Sequence, residues 1–220
     1  MGKVENKKRQ KKDALLNTAF DLFVTKGIQK TSISDIVEKA GVAKGTFYLY
    51  FSDKYDLRNK LIAHKANQLF NSAYASMQEA GILDFEERMI FICDYVIEHL
   101  SQNKSLLSLV NKHLSWGIFK NTMSRPSSGH ENNVADIYEK LLSQSEHAFR
   151  NPEIMIFMIV EMVGATIYSP ILYQLPVGLE EMKPYIFENI RSIIRSHTVG
   201  AGSPSCTHKE DGKEDTQRRM

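Results

Sequence analysis

Apolar residues along this chain recur at spacings of three and four, the period of a helix that turns one face to a core. Ala14, Leu15, Ala19, Leu22 and Phe23 form the first such stripe, which starts at Asp13 and is ended by Gly27 behind a basic Lys26. Thr31-Ser32-Ile33-Ser34-Asp35 is a helix start, with a hydroxyl N-cap at Ser32 and an acid three residues on. The helix it opens is short, because Gly41 follows Ala40. Another short helix is expected over 44–51, and Ser52-Asp53 caps a long one running from 54 to about 79.

Helical spacing continues through 85–100, 105–119 and 132–150, separated by Gly81, by 101–104 and by the turn-rich 124–130. A long apolar segment follows Asn151-Pro152 to Tyr168, where Ser169-Pro170 is expected to break it. The last helix is expected over 180–197. Residues 198–220 are Gly, Ser, Pro and charge with almost no apolar content, the composition of a disordered tail. No strand alternation and no internal repeat emerges, so the fold class is all-α. The expected organisation is a basic arm over 1–12, a three-helix head over 13–54, a larger helical body over 55–197 and the tail.

Two short helices about a glycine turn are the outline of a helix-turn-helix. Ile33, Ile36, Val37 and Ala40 give the first an inner face, Gly41 takes the positive φ of the turn, and Val42 plugs it. Phe47, Tyr50 and Phe51 give the second its inner face. Lys44, Gly45, Thr46, Tyr48 and Leu49 are left pointing outward: a cation, a bare stretch of backbone, a hydroxyl and a phenol that suit a DNA groove. Spacing alone also allows an ordinary helical hairpin with a solvated face.

Charge decides how that face is read. The 220 residues carry 28 Lys/Arg and 26 Asp/Glu, a net of +2 that argues against a nucleic-acid binder. Residues 1–60, however, hold 13 Lys/Arg against 7 Asp/Glu, leaving 15 against 19 for the remainder. The basic excess includes Lys3, Lys7, Lys8, Arg9, Lys11 and Lys12, expected to form a frayed arm. A basic quarter on an acidic remainder suggests two parts with different partners. The two cysteines, Cys93 and Cys206, offer no disulfide framework and no zinc spacing, so no metal or cofactor is expected. The basic start lacks the apolar run of a secretion signal, and a cytoplasmic protein is expected.

The ordered string Ala19-Phe20-x-Leu22-Phe23-x-x-x-Gly27, Thr31-Ser32-Ile33-x-Asp35-Ile36, Ala40-Gly41-Val42-x-Lys44-Gly45-Thr46-Phe47-Tyr48-x-Tyr50-Phe51 and Lys54-x-x-Leu57 closely resembles the DNA-binding domain of the TetR/AcrR family of bacterial transcriptional regulators. The resemblance implies a recognition helix over 44–50 and a fourth helix that links head to body. By position it puts Ser32, Lys44, Gly45, Thr46, Tyr48 and Lys54 on DNA, mostly on phosphate. Base reading falls to Val42, Ala43, Thr46, Tyr48 and Leu49. Ala43 stands where many members carry a phosphate-contacting Ser, and Leu49 where many carry Tyr or His. Backbone affinity is therefore expected to lean on Lys44, Lys54 and the basic arm, while Leu49 could meet a thymine methyl.

In the body, residues 154–175 hold a single charge, Glu161, and are long enough to span a bilayer. A central Glu costs about 2.5–3.5 kcal/mol in that setting, and Gly164, Ser169 and Pro170 weaken the span further. No membrane association is expected. A helix covered by its own body and by a second subunit accounts for the stretch, and the family's dimers form through their last two helices. The matching stripe on the last helix is Ile186, Ile190, Ile193, Ile194 and His197. Candidate ligand-pocket residues are Phe91, Tyr95, His113, Trp116, Phe119, Phe157, Glu161 and Tyr168. An acid within an apolar run must be paired, protonated or functional. Glu161 is read either as counter-charge to a cationic or hydrogen-bonding effector, or as a partner of His113 or of another subunit. For the others, plain core packing is the competing reading.

The expectation is a homodimeric repressor on a palindromic operator, released by a small, largely apolar or cationic ligand. The alternative keeps the DNA-binding head but makes the body an adaptor that docks a protein partner. An enzyme is not expected, since no nucleophile elbow, phosphate loop or metal cluster is found.

Overall fold

The computed structural model describes residues 3–113 and 134–200, and among these residues the chain is helical with no strand. Its helices are α1 (Lys3–Thr25), α2 (Ile33–Lys39), α3 (Lys44–Tyr48), α4 (Lys54–Glu79), α5 (Phe85–Gln102), α6 (Lys104–His113), α7 (Val134–Ser143), α8 (Pro152–Tyr173) and α9 (Leu179–His197). The expected tail, beyond residue 200, lies outside the described residues.

Two apolar clusters organise these helices. The head cluster gathers Leu15, Leu16, Ala19, Leu22 and Phe23 of α1 with Ile36, Val37, Phe47 and Phe51, and with Leu57, Leu61 and Ile62 of α4. The body cluster begins further along α4, at Leu69, Ala73, Tyr74 and Met77, and draws on α5 to α9. A single 26-residue helix therefore carries both cores. Two contacts join them a second time. Leu109 of α6 lies in the head cluster, and Phe20 of α1 packs against both.

Three elements depart from expectation, one of them the helix expected over 132–150, which ends at Ser143. The basic segment expected as a frayed arm forms the first turns of α1. Its Lys, Arg, Glu and Gln side chains lose little rotamer freedom in a helix, so propensity extends the packed helix outward without burial. The expected break at Ser169-Pro170 is also absent, and α8 continues to Tyr173 with Pro170 buried. Proline removes one backbone donor, a modest loss a turn from the helix end against a buried ring.

Candidate nucleic-acid interface and the junction cleft

The local chemistry of α2 and α3 fixes the outward face. Ser32 caps α2 in a full capping box: its Oγ accepts from the Asp35 N–H, and the Asp35 carboxylate accepts from the Ser32 N–H, both at 3.0 Å. The backbone and side-chain hydrogen bonds from Ser32 hold the Asp35 carboxyl below its ordinary range. Gly41 takes φ +66°, which brings Val42 back so that its N–H donates to Val37 O at 3.0 Å. Ala43 caps α3 without a side-chain bond.

On α3, Phe47 and on the following turn Phe51 are buried, their rings 5.5 Å apart. Tyr48 and Leu49 are 53% and 77% exposed. Ala43, Lys44 and Gly45 are exposed, Val42 and Thr46 are half-buried, and Ser32 on α2's cap is exposed. A Cβ built on Gly45 would meet nothing within 4 Å. The chain itself therefore gives no steric reason for glycine there; a partner approaching the backbone closely would.

Lys54, expected on DNA, is held by the chain itself. Its ammonium donates to Ile28 O, Gln29 O and Thr31 O at 3.0, 3.2 and 3.1 Å, which uses all three donors. It stitches the α1–α2 turn to the start of α4. Sequence reading missed this because a lysine at a helix start resembles a phosphate ligand, and the orphan carbonyls lie more than twenty residues away. A second stitch was also missed. Lys60 Nζ donates to Tyr50 O and pairs with Asp56, both at 2.8 Å, and lies 5.3 Å from the Phe51 ring centroid. Burial works against the Asp56 charge, but the hydrogen bonds from Lys60 and the Ser52 N–H outweigh it and lower its pKa. Tyr50, assigned from spacing to the core, is half-buried, and its hydroxyl donates to Lys8 O at 3.1 Å. That bond ties the basic part of α1 beside the recognition helix, with Lys7, Lys8, Arg9, Lys11 and Lys12 all exposed.

Among the described residues, the expected pocket residues of the body do not converge. Phe157 and Glu161 are exposed on the outer face of α8, so Glu161 is no buried acid. Phe91 and Tyr168 pack at the edge of the body cluster. Trp116 and Phe119 lie outside the described residues, as does the side chain of His113, whose backbone ends α6. Tyr95 alone of the set lines the open cleft, a cavity of about 240 Å³ between α1, α4, α5 and α6. Phe20, Leu69 and Leu106 share its apolar side; Lys65, Gln68, Ser72, His99 and Asn103 supply polar groups. Sequence reading missed it because its walls come from four helices, one of them in the head.

The stripe expected at a dimer interface is also relocated. Ile186, Ile190 and Ile194 are at most 2% exposed within the chain's own body, with Ile193 and His197 half-buried beside them. Helix α9 has only one apolar face, and its own core takes it. On α8, by contrast, Ile154, Phe157 and Met158 are exposed together with Glu161, and Tyr173 at its end. The most apolar 18 residues of this helix are one-third buried. Elsewhere on α9, Lys183 is buried against Asp94 at 3.0 Å, Glu98 and Glu180. Burial opposes its charge, but the hydrogen bonds to Glu98 and Asp94 prevail and push the ammonium up to about 12. Cys93 is half-buried, and desolvation with the neighbouring Asp94 charge pushes its thiol up to about 12, which disfavours the reactive thiolate. No group of three potential metal ligands occurs among the described residues.

Comparison with known proteins follows the same division. Residues 15–61 match the family described as bacterial regulatory proteins, tetR family. The chain is 46% identical over 78 residues to YvdT, an uncharacterized HTH-type transcriptional regulator of Bacillus subtilis, spanning 34% of this chain and 40% of that protein. It is 32% identical over 72 residues to the fatty acid metabolism regulator protein of the same organism, 33% of this chain and 37% of the relative. The chain thus spans about two fifths of the length of these relatives. Among solved structures, the transcriptional regulator FadR from Bacillus subtilis in complex with stearoyl-CoA superposes with a TM-score of 0.58 at 18% identity, over 82% of this chain and 98% of that one. At that identity the likeness establishes the fold, body included.

Proposed function

Starting from a head that belongs to the tetR family of bacterial regulatory proteins, we propose that this chain is a cytoplasmic, homodimeric repressor that binds a palindromic operator and is released by a small ligand. The observation that carries DNA recognition is the division of the 44–51 segment. Phe47 and Phe51 are buried, whereas Lys44, Gly45, Tyr48 and Leu49 are exposed beside the basic turns of α1. Lys44 and the α1 cations meet phosphate; Tyr48 and Leu49 reach base edges. One recognition helix of five residues reads few base pairs. Two, held about 34–36 Å apart by a twofold axis, read a palindrome.

The outer face of α8 supports the second copy. Ile154, Phe157 and Met158 form an apolar strip of the kind that marks an interaction site, and Glu161 within it suits a protein surface better than a bilayer centre. The structural neighbour solved with stearoyl-CoA supports an effector that carries an apolar tail. Movement of α4, which is rooted in both cores, would carry ligand binding to the spacing of the heads. No part of this scheme asks the chain to catalyse a reaction. Selection from random duplexes followed by footprinting tests the proposal. It predicts a palindrome protected as two half-sites one helical turn apart; binding without a dyad would overturn it.

A further inference from the structure

We propose that the cleft between α1, α4, α5 and α6 is an effector site for a small carboxylate with an apolar tail, and that α1 reads its occupant directly through Phe20. The inference rests on the regulator reading above and names the chemical class that site takes.

The sign of the charge comes from the lining. Lys65 stands at the cleft, and among the described residues that line it none is a carboxylate. Three body cations are matched by carboxylates: Lys183 by Asp94 and Glu98, Arg191 by Glu87, and Arg195 by Glu86. Lys65 makes no ion pair among the described residues. Its ammonium lies instead 5.5 Å from the centroid of the Phe20 ring, a weaker partner than an anion. His99 offers a second donor across the same opening, and Leu69 and Leu106 are buried beneath it. A carboxylate bound there gains a charge-assisted hydrogen bond while its tail covers an apolar floor. The cavity of about 240 Å³ holds roughly eight groups of water size. The effector is thus anionic, the opposite of what Glu161 suggested when read as a buried acid.

The geometry also supplies the coupling. Phe20 packs against both clusters, and α6, which supplies Leu106 to the cleft, places Leu109 in the head core. A carboxylate that draws Lys65 off the Phe20 ring removes one contact holding α1 to α4 and puts its tail beside that ring. The head shifts because its first helix forms one wall of the site.

Three eight-carbon amphiphiles that differ only in the head group test this: octanoate, octanol and octylammonium. Each is added to the full chain, and its melting temperature and affinity for the selected operator are measured. Octanoate should raise Tm most and weaken operator binding. Lys65→Met should weaken octanoate binding about tenfold or more, the loss of one hydrogen bond to a charged group, and leave octanol binding unchanged. Phe20→Leu should reduce operator release more than octanoate binding. The proposal is overturned if octanoate binds no better than octanol, or if its preference survives Lys65→Met. A chain that binds a palindrome yet ignores the octanoate head overturns this inference alone. A chain that binds no palindrome overturns the regulator reading, while the melting arm still decides the chemistry of the cleft.

Discussion

Head and body are both helical and joined by one helix, yet they use apolar residues in different ways. In the head, α2 and α3 are short and one-sided, so each apolar stripe has one place to go. Ser32 and Asp35 start α2, Gly41 reverses the chain, and Phe47 and Phe51 close the core. The body contains α8, which is apolar nearly all round and whose most apolar 18 residues are only one-third buried. There the pattern says that a helix exists but not which face meets the chain's own core. A regular stripe, as on α9, marks the core; apolar content without a stripe marks a helix with two partners.

The largest effects should come from the two cores. Phe47→Ala should cost about 3–5 kcal/mol and Ile190→Ala about 2–5 kcal/mol, read by thermal or denaturant unfolding. Because α4 carries both clusters, each variant should lower a single shared transition. Two separated transitions would break the view of α4 as one rigid link.

Next comes Lys183→Met, which leaves Asp94 and Glu98 facing each other. Both carboxylates are about two-fifths exposed, so the cost is set at about 1–3 kcal/mol, below the range for fully buried pairs. The ammonium's pKa is raised from 10.5 to about 12. Its contribution is therefore complete below pH 10.5 and lost as pH rises through about 12. Asp56 in the head behaves oppositely. Its pKa is lowered from 3.8, so its contribution holds above that pH and is lost as pH falls below it. Asp56→Asn should thus matter at neutral pH and not in strong acid, and Lys183→Met should cease to matter only in strong alkali. Unfolding the variants across pH checks both signs.

Smaller shifts separate stability from recognition. Gly45→Ala should stabilise the head by up to about 1 kcal/mol, since alanine is the better helix former and its Cβ meets nothing; DNA affinity should nevertheless fall. Lys44→Glu should weaken binding to all duplexes and flatten the salt dependence by about one phosphate contact. Leu49→Ala should change stability by less than about 0.5 kcal/mol and alter sequence preference alone. Binding isotherms at several salt concentrations on matched and mismatched duplexes distinguish the three.

Legibility followed locality. The head helices, the capping box and the outward set at Lys44, Gly45, Tyr48 and Leu49 were readable because each depends on neighbours within a turn or two. The stitch made by Lys54 was not legible because its acceptors, Ile28 O, Gln29 O and Thr31 O, are brought to it only by folding. Glu161 was misjudged for the converse reason, since an apolar neighbourhood in sequence is not burial in space. The cleft at Phe20, Lys65, Tyr95 and Leu106 joins residues that share no motif. The long α1 could have been anticipated: nothing in Lys3–Lys12 stops a helix, and only the absence of a stripe suggested an arm.

The central claim is that two copies, paired through the outer face of α8, hold two heads on one operator. Light scattering on the complex with the selected duplex, for the native chain and for Phe157→Glu, tests it most directly. The account predicts two chains per duplex for the native protein, and single chains with greatly weakened operator binding for the variant. One chain per duplex in the native complex, or an undisturbed pair in Phe157→Glu, would contradict it.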